Sequence, residues 1–177
     1  MTATRIVGLS GNITRPSRTR ALVGRVLAAA EAAGLGTVEA YDLVDAGPAL
    51  GAATSRAGAP PGLDRIWSAV ENCDALVVGS PVFKASYGGL FKHFFDLIDK
   101  DALRGRPVVL CATGRLPEYG AMIEGRLLPL FDFFGTRPVE PHVYASDGDF
   151  AGSDLASERV AAEVEAAVAE LGRALRG

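Results

Sequence analysis

The sequence predicts an α/β fold: a doubly wound parallel sheet of five strands in the order 2-1-3-4-5. Two observations carry this. Short branched apolar runs alternate with helix-periodic segments through all 177 residues, and no internal repeat or second domain interrupts the alternation. Two of the runs, "DALVVGSP" (74–81) and "PVVLCAT" (107–113), are apolar along nearly their whole length, as strands covered on both faces are. Five strands alternating with five helices then give an open sheet with helices on both sides, and 2-1-3-4-5 is the common order for five. A chain of this length buries a core as one domain, 1–177.

Each element has its own signal. "TRIVGLS" (4–10) is short, branched and apolar, the pattern of a buried first strand. Residues 17–33 place Leu22, Val23, Val26, Leu27 and Ala30 on one helical face. "GTVEAYDL" (36–43) alternates weakly and reads as strand two. The stretch 44–62 is rich in Gly, Ala and Pro and is expected to be a long loop, with a helix at 63–72 after it. Strand three is 74–81. Residues 87–100 carry Tyr87, Leu90, Phe91, Phe94, Phe95 and Ile98 as a stripe of period 3.6. Strand four is 107–113, and a helix over 119–134 is interrupted near Gly125 and Pro129. Strand five, 137–146, contains two prolines, and residues 154–175 close the chain as a helix.

Composition excludes several roles. Apolar content is 49% and formal net charge is -3, with no long basic run, so nothing points to nucleic acid. No apolar run reaches the roughly 18 residues of a membrane span. The start, MTATRIVGLSG, has no signal-peptide cleavage pattern. Cys73 and Cys111 match no metal or CxxC spacing; two buried thiols fit a cytoplasmic protein. His93 reads as structural, His142 as non-catalytic, and Asp147, Asp149 and Asp154 as solvated loop carboxylates.

In the 2-1-3-4-5 order ligands bind where the winding reverses, at the carboxyl ends of strands 1 and 3. The loop after strand 1, "SGNITRPSRT" (10–19), contains no carboxylate, and none occurs before Glu31. It offers the hydroxyls of Ser10, Thr14, Ser17 and Thr19, the guanidiniums of Arg15 and Arg18, and the free amides of a helix start. It is neither a GK[ST] loop nor a GxGxxG turn, and it resembles the flavodoxin style of holding a monophosphate. The bland alternative is that Ser17 caps the helix and the arginines are solvated. The loop after strand 3, "GSPVFKASYGGL" (79–90), combines Pro81 and Phe83 with Ala85, Ser86, Gly88 and Gly89, an apolar wall on which a flat ring can lie. The loop after strand 4 offers Thr113 and the amides of Gly114 and Arg115 to the pyrimidine edge of a flavin, where charge collects on reduction.

"SPVFKASYGGLFKHFFDL", with "LRGRPVVLCATG", resembles the NADPH-dependent FMN reductase family, especially its sulfonate-utilisation branch, and "GNITRPSRT" resembles that family's first loop. The resemblance implies a flavodoxin-like fold, FMN as the flavin, NADPH or NADH as donor, and reduced FMN supplied to a partner flavin-dependent monooxygenase. Carried over by position, Asn12, Ser17, Arg18 and Thr19 hold the phosphate, and Pro81, Val82, Phe83 and Lys84 flank the ring. The sequence departs from the family's pattern in three places. Asn12 stands where Ser is usual, with the basic residue displaced to Arg15. Arg115 stands where Gly is usual, and Gly125 where the branch often carries an extra aromatic residue or His that goes with tight flavin retention. Two other functions fit the same loops: a quinone or azo-dye reductase that retains FMN, and a flavodoxin-like electron carrier, although carriers are usually far more acidic. A response regulator does not fit, since no paired acids follow strand 1. Phe91, Phe94, Phe95, Phe131, Phe133 and Phe134 exceed one amphipathic face, which predicts a homodimer or homotetramer.

Overall fold

In a computed structural model of the protein, which describes residues 3–177, the five long strands form one parallel sheet. They are β1 (Arg5–Ser10), β2 (Thr37–Asp42), β3 (Ala75–Pro81), β4 (Pro107–Gly114) and β5 (Arg137–Ser146), in the order β2-β1-β3-β4-β5. The predicted order is the observed one. Side chains alternate between two apolar layers. Ile6, Val77, Val109 and Cys111 face α1 (Arg18–Ala32) and the last helix, α6 (Glu158–Arg176). Val7, Val78, Leu110 and Ala112 face the opposite layer of α2 (Leu43–Ala52), α3 (Pro61–Glu71), α4 (Gly89–Asp96) and α5 (Leu128–Phe133). Burial on both faces is why the central strands read as continuous apolar runs.

The second layer is aromatic. Trp67 of α3 is fully buried, and its indole N–H donates to the Phe94 carbonyl at 3.2 Å. Phe95 packs edge-on to Phe131 of α5, with centroids 5.0 Å apart, and lies against Phe91, Phe94 and Phe134. Five of the six phenylalanines that predicted an oligomer are therefore core residues of the chain itself. The two helices bury them against each other, and only Phe133 is left outside, 70% exposed.

Three segments differ from expectation. The stretch 44–62 is not wholly loop. Asp42 caps a helix over Leu43–Ala52 in a reciprocal capping box with Asp45, and Gly47 (φ 64°) with Pro48 kinks it midway. The predicted helix 119–134 is a short 3₁₀ turn (Pro117–Ala121), a π-helical turn (Ile123–Leu127) around Gly125, and then α5, so its interruption falls where the sequence placed it. The closing helix begins at Glu158, with Ser157 as its cap, rather than at 154. Residues 150–155 instead form a small hairpin of β6 (Phe150–Ala151) and β7 (Asp154–Leu155). In β5, three residues (Glu140, Pro141, His142) stand opposite Leu110 alone. Pro141 has no N–H for the ladder, and the strand bulges there.

Candidate functional site

The switch point brings the carboxyl ends of β1, β3 and β4 beside the N-terminus of α1. Gly79 of β3 lets that helix approach: a Cβ there would lie 2.5 Å from Val23 Cγ2. The Gly11 amide donates to the Gly79 carbonyl at 2.7 Å, joining the first two loops, and the Val82 amide donates to Thr113 at 2.8 Å, joining the second and third. Between them lies a cavity of about 440 Å³. Of the predicted residues, Asn12, Thr14, Ser17, Arg18 and Thr19 line it from the first loop, Pro81, Val82 and Phe83 from the second, and Thr113, Gly114 and Arg115 from the third.

The anion-binding end is built from the backbone. Ser17 caps α1, its hydroxyl oxygen accepting from the Arg20 amide at 3.2 Å, while its own O–H stays free to donate. The amides of Arg18 and Thr19 have no acceptor among the described residues. At the floor, Thr19 and Thr113 share a buried hydroxyl–hydroxyl bond of 2.6 Å.

Three predicted residues lie elsewhere, for traceable reasons. Arg15 does not line the cavity. Its guanidinium grips Asp42 through Nε (2.9 Å) and Nη2 (2.7 Å), and Nη2 also reaches Asp45 at 2.5 Å. The Ser10 hydroxyl is buried and donates to Asn12 Oδ1 at 2.6 Å. Lys84 points into solvent from the tip of a turn. Asn12 lines the cavity with its side chain already committed. Its amide donates to Thr14 O and to Asp42, each at 3.0 Å, so only its backbone remains for a ligand.

Asp42 is the residue that sequence reasoning missed. Its side chain is fully inaccessible at the end of β2, and it accepts from Asn12, Arg15, Arg20 and the amides of Val44 and Asp45. Burial alone would raise its pKa. Those donors outweigh it and hold the carboxyl well below the usual carboxylate range. The available signal was local: Asp42 and Asp45 have capping-box spacing.

The second loop closes as a two-residue turn, with Phe83 and Ser86 exchanging backbone bonds of 2.7 and 3.0 Å. Lys84 (φ 50°) and Ala85 (φ 63°) both occupy the left-handed region without being glycine, a strain of about 1–2 kcal/mol per residue. The turn holds Phe83, 47% exposed, at the rim of the cavity. In the third loop a Cβ on Gly114 would lie 2.6 Å from the Tyr144 hydroxyl. That hydroxyl donates to Leu116 O at 2.6 Å, and Tyr144, a second residue the sequence did not single out, thereby shapes the loop. Burial first, then Asp147, Asp149 and Glu118, push its pKa up to about 12, so it stays protonated. Arg115 is exposed and makes no hydrogen bond or ion pair with the described residues.

Other titratable groups serve structure. Burial pushes the Cys111 thiol up to about 12, and Cys73 likewise, so neither is a reactive thiolate. His93 Nε2 is 2.8 Å from Ala53 O. His142 lies 3.7 Å from Glu124, and its buried Nδ1 has no partner among the described residues. Asp149 accepts from the amide and hydroxyl of Ser146, both at 2.8 Å, and pairs with Arg159. A larger hollow of about 610 Å³ between α4 and α5 is walled by Phe95, Leu130, Phe133 and Phe134 and lies away from the strand ends. It has none of the anion-binding backbone of the smaller one.

A hydroxyl-rich helix start with two free amides and an aromatic rim across the cavity suit a phosphorylated flat ring. The sequence model of one family, described as NADPH-dependent FMN reductase, matches residues 4–151. The chain belongs to that family. The NADH-dependent FMN reductase SfnF of Pseudomonas fluorescens is 40% identical over 165 residues, covering 92% of this chain and 87% of that protein. The FMN reductase (NADPH) of Pseudomonas aeruginosa is 37% identical over 163 residues, with 92% and 88% covered. Among solved structures, an oxidoreductase from Corynebacterium diphtheriae superposes with a TM-score of 0.84 at 32% identity, covering 98% of this chain and 97% of that one. The chain is thus a flavodoxin-like FMN reductase, an oxidoreductase of FMN and a reduced nicotinamide nucleotide.

Proposed function

We propose that the cavity at the β1–β3 switch point is where FMN and the nicotinamide nucleotide meet, and that the whole chain, 1–177, acts as one reductase domain. The observation that carries this is the free N-terminus of α1, with the Arg18 and Thr19 amides, the Ser17 hydroxyl and the Thr14 hydroxyl on one wall of a cavity whose other wall is Pro81, Val82 and Phe83. This donor set fits a flavin monophosphate. The α1 end takes the phosphate, Phe83 and Val82 lie against the ring, and the amides of Gly114 and Arg115 serve its pyrimidine edge. When bound, the flavin supplies the hydride-accepting chemistry.

The protein's part is alignment. No general base is needed, and the lining holds none poised to act as one. Thr19 and Thr113 are bonded to each other, and Asp147 is paired. The strained Lys84–Ala85 turn fixes Phe83, and Tyr144 fixes the 114–120 loop, so both walls are set before a ligand arrives. Arg115, free at the rim, meets the dinucleotide's phosphates as it enters from solvent. The reduced flavin is handed to a flavin-dependent monooxygenase, and the setting is the cytoplasm; no described helix is long and apolar enough to cross a membrane. Self-association uses the α4–α5 face, where Phe133 and the apolar hollow beside it lie exposed.

The test compares FMN with riboflavin. If the α1 end binds the phosphate, riboflavin binds far more weakly, by about 1.5–3 kcal/mol for each charge-assisted bond lost. Arg18→Ala narrows the gap. Equal affinity of the unmodified protein for the two flavins would remove the phosphate from this site.

A further inference from the structure

The predicted phosphate ligand Arg18 already has an anion. Its Nη1 is 2.7 Å from Asp147 Oδ1, its Nε donates to the Gly152 carbonyl at 3.0 Å, and its guanidinium lies 5.6 Å from the centre of the Phe150 ring. Three contacts tie the first turn of α1 across the cavity to the segment 147–152, the turn after β5 and the β6–β7 hairpin. Asp147 and Gly152 line the same cavity as Ser17, Arg18 and Thr19. Asp147 is therefore a carboxylate inside the anion end of the site.

We propose that Asp147 sets how tightly the phosphate end of the flavin is held, by occupying Arg18 until a phosphate replaces it. The inference rests on the reading that FMN binds at the α1 end. A phosphate at that end and the Asp147 carboxylate are like charges competing for one guanidinium, and each weakens the other's hold. Binding FMN is then an exchange of partners rather than an addition. Riboflavin, with no phosphate, makes no such exchange. The rest of the loop keeps the carboxylate in place. Asp149 anchors its base through Ser146 and Arg159, so Asp147 stays at the rim whether or not Arg18 holds it. A flavin whose phosphate must displace a resident carboxylate is one that leaves easily. This matches a chain in which the cap, the hydroxyls and the amides all favour phosphate, yet a negative side chain stands among them. The ion pair is half-exposed on both sides, which keeps it displaceable and its effect moderate.

The experiment measures dissociation constants for FMN and riboflavin with the unmodified protein, Asp147→Asn, Arg18→Ala and the double variant. Asp147→Asn is expected to tighten FMN binding about two- to fivefold and to leave riboflavin unchanged, the size of one exposed charge pair. In the Arg18→Ala background the gain shrinks, because the competition has lost its object. If Asp147→Asn weakens FMN, the carboxylate positions Arg18 and the inference is overturned. If FMN is unchanged, or both flavins move together, it is overturned as well. An unmodified protein that does not distinguish FMN from riboflavin would instead strike down the flavin-phosphate reading on which the inference stands, and that result is read before any variant is made.

Discussion

Removing Asp42 tests whether the first loop is held by a buried charge rather than by its own turn chemistry. The perturbation is Asp42→Ala. Three losses add. The cap on α2 goes, with the Val44 and Asp45 amides it bonded at 3.0 Å, which costs about 1 kcal/mol. The Asn12 amide, bonded at 3.0 Å, loses one buried acceptor, worth about 1–3 kcal/mol. Arg15 and Arg20 lose their common partner. Both are about two-fifths exposed and turn to water or to Asp45, so each contributes less than about 1 kcal/mol. The sum is about 3 kcal/mol, which for a chain of this length lowers Tm by roughly 6–12 °C. Differential scanning calorimetry at pH 7 measures it, and a fall of less than about 2 °C would refute the reasoning.

The pH dependence has a definite sign. The folded Asp42 carboxyl lies below its unfolded value of about 3.9, so the ionised form's contribution is complete above that value. It is lost as pH falls through the folded value. The Tm gap between the unmodified protein and Asp42→Ala is therefore constant from pH 6 to 8 and closes as the pH drops below about 4. A gap that held constant into acid would mean that the cap geometry, not the charge, supplies the stability.

Arg115→Ala should raise KM for NADPH or NADH about fivefold, with a smaller change in FMN affinity, since one half-exposed phosphate contact is worth about 1 kcal/mol; steady-state kinetics at saturating FMN decide it, and an effect confined to FMN would assign the arginine to the flavin. Ala85→Gly removes the left-handed strain at a cost in backbone entropy, a net gain of about 0.5–1 kcal/mol in urea unfolding, while the loosened turn raises KM for FMN; a less stable protein would show that φ of 63° is not strained here. Light scattering at micromolar concentration should give at least twice the 18.4 kDa chain mass, and Phe133→Glu should return it to one chain; a monodisperse monomer before mutation counts against the α4–α5 face.

The sheet was legible because its evidence is local and redundant. A strand buried on both sides is apolar along nearly its whole length, so β3 and β4 announce themselves; alternation with helices gives the doubly wound sheet, and the common five-strand order supplies the rest. Two other segments were hidden by composition. Residues 44–52 look like loop because Gly47, Pro48 and four alanines over 46–53 carry no periodic stripe; the helix depends on a cap at Asp42, outside the stretch that looks like loop. The β6–β7 hairpin has two residues a side, too short for any period to show. The phenylalanine count misled for a different reason. A stripe on α4 and a stripe on α5 can satisfy each other, and Phe95 against Phe131 at 5.0 Å does so. An excess of apolar residues on two helices predicts a partner surface without saying whether that surface is in the same chain.

Charge was the least legible feature of the site. The first loop carries Arg15 and Arg18, with Arg20 just inside α1 and no acid near in sequence, and the first two read as cations waiting for one anion. The fold supplies carboxylates from far along the chain and divides the three. Asp42, at the end of β2, and Asp45, in the first turn of α2, take Arg15 and Arg20 and make them part of the frame. Asp147, beyond β5, takes Arg18, and that pair is exposed enough to open. The difference lies in burial. A carboxylate with no accessible surface and five donor groups keeps its arginines, because leaving that buried carboxylate unpaired costs several kcal/mol. A carboxylate at the rim with one cationic partner keeps it only until a stronger anion comes. Which arginine is structural and which is available to a ligand is thus decided by the depth of the acid opposite it, a quantity that no spacing within the first loop contains.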